Sequence, residues 1–299
     1  MEAEVRPMPK FDYVAPSSLT DALKLLHDYQ GKGRVLAGGT DLLVRLKKRL
    51  ASAVTIVDLN GISELSYIEA IGECLHIGAV TRLARIKESP IVKEKASALA
   101  QAISVMASPP IRNRGTIGGN VCNSSPAADT APALLVLDAS VTLRKLDGER
   151  IVPVSQFFVG PEENVAGEDE ILTEVIIPLQ EGNTAAVKLG RRKAFTLSVV
   201  SAAAYAEAHD GKFGEIRLAL GAVAPTPIRC LKVEEALRGQ DVTEKVIEKA
   251  AELVRGEIKP ITDVRASAEY RSEMSYILTK RVLEKVALGG KNANKIHIE

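Results

Sequence analysis

In the stretch SSLTDALKLLHDYQG, Leu19, Ala22, Leu23, Leu26 and Tyr29 fall on one face at helical spacing. Ser18 is placed to cap that helix, Asp21 sits in its first turn, and Gly31 is positioned to end it. The pattern then shortens. RVLA reads as a strand, GGT as a turn, DLLVRLKKRL as a helix with its basic residues toward the C-terminus, and VTIVDL as a second strand. Strand, turn, helix and strand make a small βαβ unit, with Gly38 and Gly39 at the turn that opens the helix.

Further along, LSYIEAIGECLHIGAV predicts a hairpin, and TRLARIKES and VKEKASALAQAISVM predict two helices. After the TIGGN loop, Pro126 is expected to open a helix with Asp129 in its first turn and Ala127 to Leu137 as its apolar face. ASVTLRKLDGERIVPVSQF reads as a hairpin about Asp147-Gly148, and EDEILTEVIIPL alternates like a strand that stops at Pro178. A second region begins near 180. It holds two long strands joined through Asp210-Gly211 and is helical from VEEALRG onward. The fold class is α+β, with a division between 175 and 185 and no internal repeat.

Composition narrows the function. The 299 residues are 46% hydrophobic and 26% charged, as in an ordinary globular protein, and the net charge of +1 gives no reason to expect nucleic acid or an anionic membrane as partner. Trp is absent and aromatics are few, so no ladder for stacking bases exists. Cys74, Cys122 and Cys230 are far apart and fit no CxxC spacing. They point away from a disulfide scaffold or a metal site built by this chain alone, and toward a reducing compartment. MEAEVRPMPKFDYVAP lacks the apolar core of a signal peptide, and APALLVL and LSVVSAAAYA are far shorter than the ~20 residues of a membrane span. A soluble, cytoplasmic chain with no transmembrane segment is expected. His27, His76, His209 and His297 stand in unrelated contexts and read as surface or strand residues rather than bases, and Cys122 reads as a small packed residue.

Two glycine pairs remain, in AGGTD (37–41) and TIGGN (116–120). The first falls where a strand gives way to a helix, a place suited to phosphate. GxGxxG fails because Gly31 and Gly33 precede the strand and Leu36 stands where the third glycine would be, and the P-loop fails because Gly39 stands where its lysine would be. The second pair is bounded by Thr116, Asn120, Ser124 and Ser125. Two readings stay open on these residues alone: turns of no consequence, or donors that hold a dinucleotide from both sides.

LAGGTDLL, IRNRGTIGGNVCNSSPAADTAP, KLGRRKAF and ITDVRASAEYR, colinear from about residue 8 to 288, together resemble the FAD-binding medium subunit of the molybdenum hydroxylases. That is the family of xanthine dehydrogenase and carbon monoxide dehydrogenase. The resemblance implies a two-lobed FAD-binding domain of the vanillyl-alcohol oxidase type over 1–178, divided near 60. It also implies a C-terminal domain over 179–299, of a small antiparallel sheet plus a three-helix bundle. It places Ala37, Gly38, Gly39, Thr40, Thr116, Ile117, Gly118, Gly119 and Asn120 at the FAD phosphates, counts Leu36, Asp41 and Ser125 among the cofactor-binding residues, and puts Asp129 beside the cofactor and Leu172 and Lys188 along the flavin ring. The expected partners are a small subunit with two [2Fe–2S] clusters and a large molybdopterin subunit, in a dimer of heterotrimers, with an external electron carrier. No catalytic or metal-ligating residue is expected in this chain. One member of the family, 4-hydroxybenzoyl-CoA reductase, carries a cysteine-bearing [4Fe–4S] insertion in this subunit. CNSSPAADTAPALLVLDASV runs without it, which favours a hydroxylase or dehydrogenase. The alternative is a stand-alone flavin-dependent oxidoreductase, for which no substrate base is evident.

Overall fold

The computed structural model describes residues 8–50, 54–192 and 195–287. The first lobe runs β1 (Asp12–Val14), α1 (Leu19–Tyr29), β2 (Gly33–Leu36), α2 (Leu42–Lys47) and β3 (Thr55–Asp58). Its three strands are parallel in the order β1-β3-β2, so the βαβ unit forms as its periodicity predicts. The Ser18 hydroxyl accepts from the Asp21 N–H at 3.1 Å and starts α1, while Gln30, left-handed at φ 46°, caps its C-terminus one residue before Gly31. Strand β1 is three residues long and carries no alternation by which to find it. Helix α2 is shorter than its apolar pattern, because Arg49 turns to φ 60° just beyond it.

The second lobe is a five-stranded antiparallel sheet with helices on its inner face. In chain order it comprises β4 (Ile68–Ile71), β5 (Cys74–Gly78), α3 (Leu83–Glu88), α4 (Pro90–Lys95), α5 (Ser97–Ser104), α6 (Pro109–Arg114), α7 (Ile117–Cys122) and α8 (Thr130–Val136). Then come β6 (Ser140–Lys145), β7 (Gly148–Pro153), α9 (Val154–Phe157), the small ribbon β8 (Phe158–Gly160) and β9 (Glu163–Asn164), and β10 (Ile171–Pro178). The sheet order is β4-β5-β10-β6-β7.

Three local expectations change here. The helix predicted over 92–106 breaks at Ala96 (φ −137°, ψ 49°) into α4 and α5. TIGGN is the start of α7, not a loop, because the Thr116 hydroxyl accepts from the Gly119 N–H at 3.1 Å and caps it. Helix α8 begins at Thr130 rather than Pro126. Ser124 stands at φ 49°, and Asn164 Nδ2 donates to Cys122 O and Ser124 Oγ, each at 3.0 Å, so the chain between α7 and α8 is pinned out of helical form.

The C-terminal part is built from β11 (Asn183–Gly190), β12 (Ser198–His209), β13 (Lys212–Gly221) and β14 (Ile228–Arg229), followed by α10 (Leu231–Leu237), α11 (Glu244–Ala251) and α12 (Ala268–Ala287). Strand β11 escapes the sequence pattern because its residues are mostly half-buried on both sides. Strand alternation splits the sheet between two cores. Ala202, Ala204, Ala206, Leu218 and Leu220 pack against α10–α12, while Ala203, Tyr205 and Ala219 join the core of the second lobe. The run of alanines lets helices approach both faces.

Helix α8 is gripped at both ends by this sheet. At its start Asp129 takes Lys188 Nζ at 2.6 Å and Ser198 Oγ at 2.5 Å. Just past its end Asp138 pairs with Arg217, whose guanidinium lies 3.9 Å from the Tyr205 ring centroid, and with Arg229 at 3.1 Å.

Candidate cofactor site

The two lobes and the residues just ahead of β12, Phe195 to Leu197, enclose a cleft of about 1180 Å³. Pockets for drug-sized ligands measure roughly 300–1,000 Å³, so this cleft has room for a longer, dinucleotide-sized ligand. Ala107, Glu162 and Phe195 line it with φ of 46°, 64° and 56°, a concentration of backbone strain of the kind found at ligand sites.

Both glycine motifs reach this cleft, by different routes. In the first, Gly39 holds φ 72°, a conformation that side chains resist. A Cβ on Gly38 would lie 2.5 Å from the Arg114 carbonyl oxygen and 2.8 Å from Gly115 Cα, so the first motif touches, backbone to backbone, the two residues that lead into the second. The N–H groups of Gly38, Gly39 and Thr40 donate to no acceptor among the described residues. A row of free amides on a cleft wall is a nest for an anion.

In the second motif the amides are already engaged. Ile117 N donates to Thr81 O at 3.2 Å, Gly118 N to Ala79 O at 2.9 Å, Gly119 N to Thr116 Oγ1, and Asn120 N to Thr116 O at 3.0 Å. What Gly118 and Gly119 supply is space. A Cβ on Gly118 would meet Ala79 at 2.7 Å, and one on Gly119 would stand 3.9 Å from the Ala37 methyl, in the gap between the motifs.

Among the described residues, four of the seven charged residues that line the cleft hold ion pairs, Arg34, Asp41 and Glu168 being the others. Arg45 bridges to Glu162 at 2.5 Å across the cleft, Glu170 binds Arg150 at 2.8 Å, and Asp129 binds Lys188. Burial pushes the Asp129 carboxyl above its usual range, while Lys188 and Ser198 pull it back. Phosphate binding here would therefore rest on backbone donors more than on cations. The cradle fits the phosphates of FAD.

Of the expected site residues, Ala37, Gly38, Gly39, Thr40, Asp41, Thr116, Gly118, Gly119, Asn120, Ser125, Asp129 and Leu172 line this one cleft. Leu172 does so where a bulge between Leu172 and Glu174 shifts the register against β6. Leu36, Ile117 and Lys188 lie behind the wall. Leu36 and Ile117 fill cores, and Lys188 Nζ turns to Asp129 and to Thr196 O at 3.0 Å. Cys122 is a correction: it is exposed and lines the cleft, because α7 turns Ile117 and Val121 inward instead. His27 and His209 are exposed and His76 sits in β5, 2.9 Å from Glu174; none lines the cleft, and His297 lies outside the described residues. Met106, Ser108, Ile111 and Leu197 line it too and were not foreseen, although Ser108 before two prolines is a legible helix cap.

The family comparisons agree with this geometry. Residues 9–180 match the FAD binding domain in molybdopterin dehydrogenase, and residues 185–286 match the CO dehydrogenase flavoprotein C-terminal domain. The chain belongs to this family of FAD-binding oxidoreductase subunits. It is 35% identical over 285 residues to the xanthine dehydrogenase FAD-binding subunit of Escherichia coli O157:H7, covering 93% of this chain and 97% of the relative. It is 32% identical over 276 residues to the carbon monoxide dehydrogenase medium chain of Hydrogenophaga pseudoflava, covering 92% and 96%. Among solved structures, carbon monoxide dehydrogenase from the same organism superimposes with a TM-score of 0.91 at 33% identity, covering 95% of this chain and 99% of that one. Quinoline 2-oxidoreductase from Pseudomonas putida 86 gives 0.90 at 30% identity, covering 95% and 99%.

Proposed function

We propose that this chain is the electron-transfer flavoprotein of a molybdenum-containing hydroxylase or dehydrogenase, relaying electrons between the [2Fe–2S] clusters of a small partner subunit and an external carrier. The observation that carries the reading is the single long cleft onto which both glycine motifs open, with free amides on one wall and close-packed glycine on the other. In this reading the amides of Gly38, Gly39 and Thr40 hold the FAD pyrophosphate. Leu172 and Asp129 border the ring, and Lys188 acts on it from behind through Asp129. FAD, when bound, exchanges electrons singly or in pairs and so can join one-electron clusters to a two-electron acceptor. Substrate chemistry belongs to the large molybdopterin subunit. Among the described residues no group of three or more His, Cys, Asp or Glu is placed to hold a metal. No helix of the described residues is long and apolar enough to cross a membrane. A functional division at 178/179, assembly as a dimer of heterotrimers and a cytoplasmic setting complete the proposal.

The test is to supply purines, aldehydes and carbon monoxide anaerobically to the FAD-loaded chain by itself. The flavin absorbance near ~450 nm should persist until the iron–sulfur and molybdopterin subunits are added. Bleaching by substrate in the isolated chain would instead make it a self-sufficient flavin oxidoreductase.

A further inference from the structure

Behind the cleft, a chain of side chains joins the backbones of the two glycine motifs, and none of its members touches the cleft itself. It starts at Tyr13 in β1, whose hydroxyl donates to Asp58 Oδ2 at 2.5 Å. Asp58, at the end of β3 and almost fully buried, accepts through its other oxygen from Asn60 N at 2.9 Å and Asn60 Nδ2 at 2.5 Å. Asn60 Nδ2 also donates to Ala37 O at 2.8 Å, the carbonyl just ahead of Gly38. Asn60 Oδ1 accepts from Arg82 at 2.6 Å, and the other arm of that guanidinium donates to the carbonyl of Arg114.

Arg114 O is the atom against which Gly38 is packed. Arg82 is further tied to the second motif through its neighbours' main chain, since Leu83 N donates to Gly115 O at 2.9 Å and Ile117 N to Thr81 O. The first motif, through Ala37, and the end of α6 two residues ahead of the second, through Arg114, thus each present one carbonyl backward, and Asn60 and Arg82 hold the two carbonyls and each other. A guanidinium fork suits this task because its donors are fixed in one plane and cannot lengthen independently.

We propose that Asn60 and Arg82 are positioning residues that set the spacing between the two glycine motifs, and through it the affinity of the cleft for FAD. The claim rests on the functional reading above only in taking FAD as the ligand. Removing either side chain severs the same link. The first motif is then free to drift from the second, and amides that must converge on one pyrophosphate lose their common aim.

The experiment is a flavin-fluorescence titration of the full chain, prepared without cofactor, as wild type, Asn60→Ala, Arg82→Met and the double variant. Each single variant should raise the FAD dissociation constant about tenfold, and the double variant should raise it no more than about tenfold, because one break suffices. Arg82→Lys, which keeps the charge but not the fork, should stay near the Met variant rather than restore binding. Tyr13→Phe removes one hydroxyl at the far end of the network and should cost little thermal stability without cofactor, the fold remaining intact, while raising the constant about threefold. It decides the question where a larger change fails to fold. Constants within about twofold of wild type in folded variants, or additive losses in the double variant, would overturn the proposal. A wild-type chain that binds no FAD would overturn the functional reading and this proposal together; a normal wild type with unaffected variants overturns the network alone.

Discussion

The two glycine pairs look alike in sequence and have opposite chemistry in the fold. Gly38 and Gly39 belong to a turn whose amides meet no acceptor among the described residues, whereas Gly118 and Gly119 belong to the first turn of a helix whose amides are already bonded. The difference arises from the residue two ahead of each pair. Thr116 stands there in the second and caps the helix with its hydroxyl, while Leu36 stands there in the first, buried and with no hydroxyl to offer. A Gly-Gly pair is therefore not a ligand motif in itself. Its neighbours decide whether it offers donors or room.

The largest test of this contrast is Gly38→Val. Its Cβ would strike the Arg114 carbonyl and Gly115, both backbone, which cannot turn aside. With charge-assisted hydrogen bonds of ~1.5–3 kcal/mol each disturbed, FAD affinity should fall about a thousandfold or more by titration. Near-normal occupancy in a folded variant would end the assignment of the free amides to phosphate.

Next is Lys188→Met, which tests the wall beside the glycines. It leaves Asp129 buried without its cation, a loss of about 3 kcal/mol in urea unfolding at neutral pH. Burial already raises the Asp129 carboxyl, and loss of Lys188 raises it further, so its folded pKa stands above the unfolded value. Protonation then favours the folded state. The deficit should be full at neutral pH and shrink as pH falls through the raised pKa toward about 3.9. A deficit that grows on acidification would contradict the pairing.

Gly119→Ala sharpens the comparison further. Its methyl meets only the Thr116 hydroxyl, at 2.9 Å, a side-chain atom able to rotate, and it intrudes on the gap beside Ala37. FAD affinity should fall about tenfold, far less than at Gly38. Equal effects at the two positions would erase the distinction between donor and spacer.

The smallest effect is expected for Thr116→Val. Loss of the cap should lower stability by about 1 kcal/mol. It leaves the first motif intact, so FAD affinity should change by less than about threefold.

Much of this was legible in the sequence, because periodicity and turn chemistry are local. The βαβ unit, the hairpins about Asp147-Gly148 and Asp210-Gly211, and both motifs announce themselves within a dozen residues. Strand β1 and strand β11 did not, being respectively too short and too evenly half-buried to alternate. Asn60 and Arg82 left no trace at all. Their bonds run to main-chain carbonyls 23 and 32 residues away, and a carbonyl has no residue type to read. Lys188 was placed at the ring by resemblance. Its turn toward Asp129 depends on β11 lying beside β12 and on Ser198 sharing the same carboxylate, which only the folded sheet reveals.

Helix α8, pinned at Asp129 by Lys188 and Ser198 and at Asp138 by Arg217 and Arg229, has a consequence for tempo. Electron tunnelling falls off exponentially with the gap between centres, so a relay whose parts breathe against each other would deliver electrons unevenly. A crosspin fastened at both ends ties the wall of the cleft to the C-terminal sheet. Under the relay reading proposed above, that tie would steady this chain's side of the tunnelling gap.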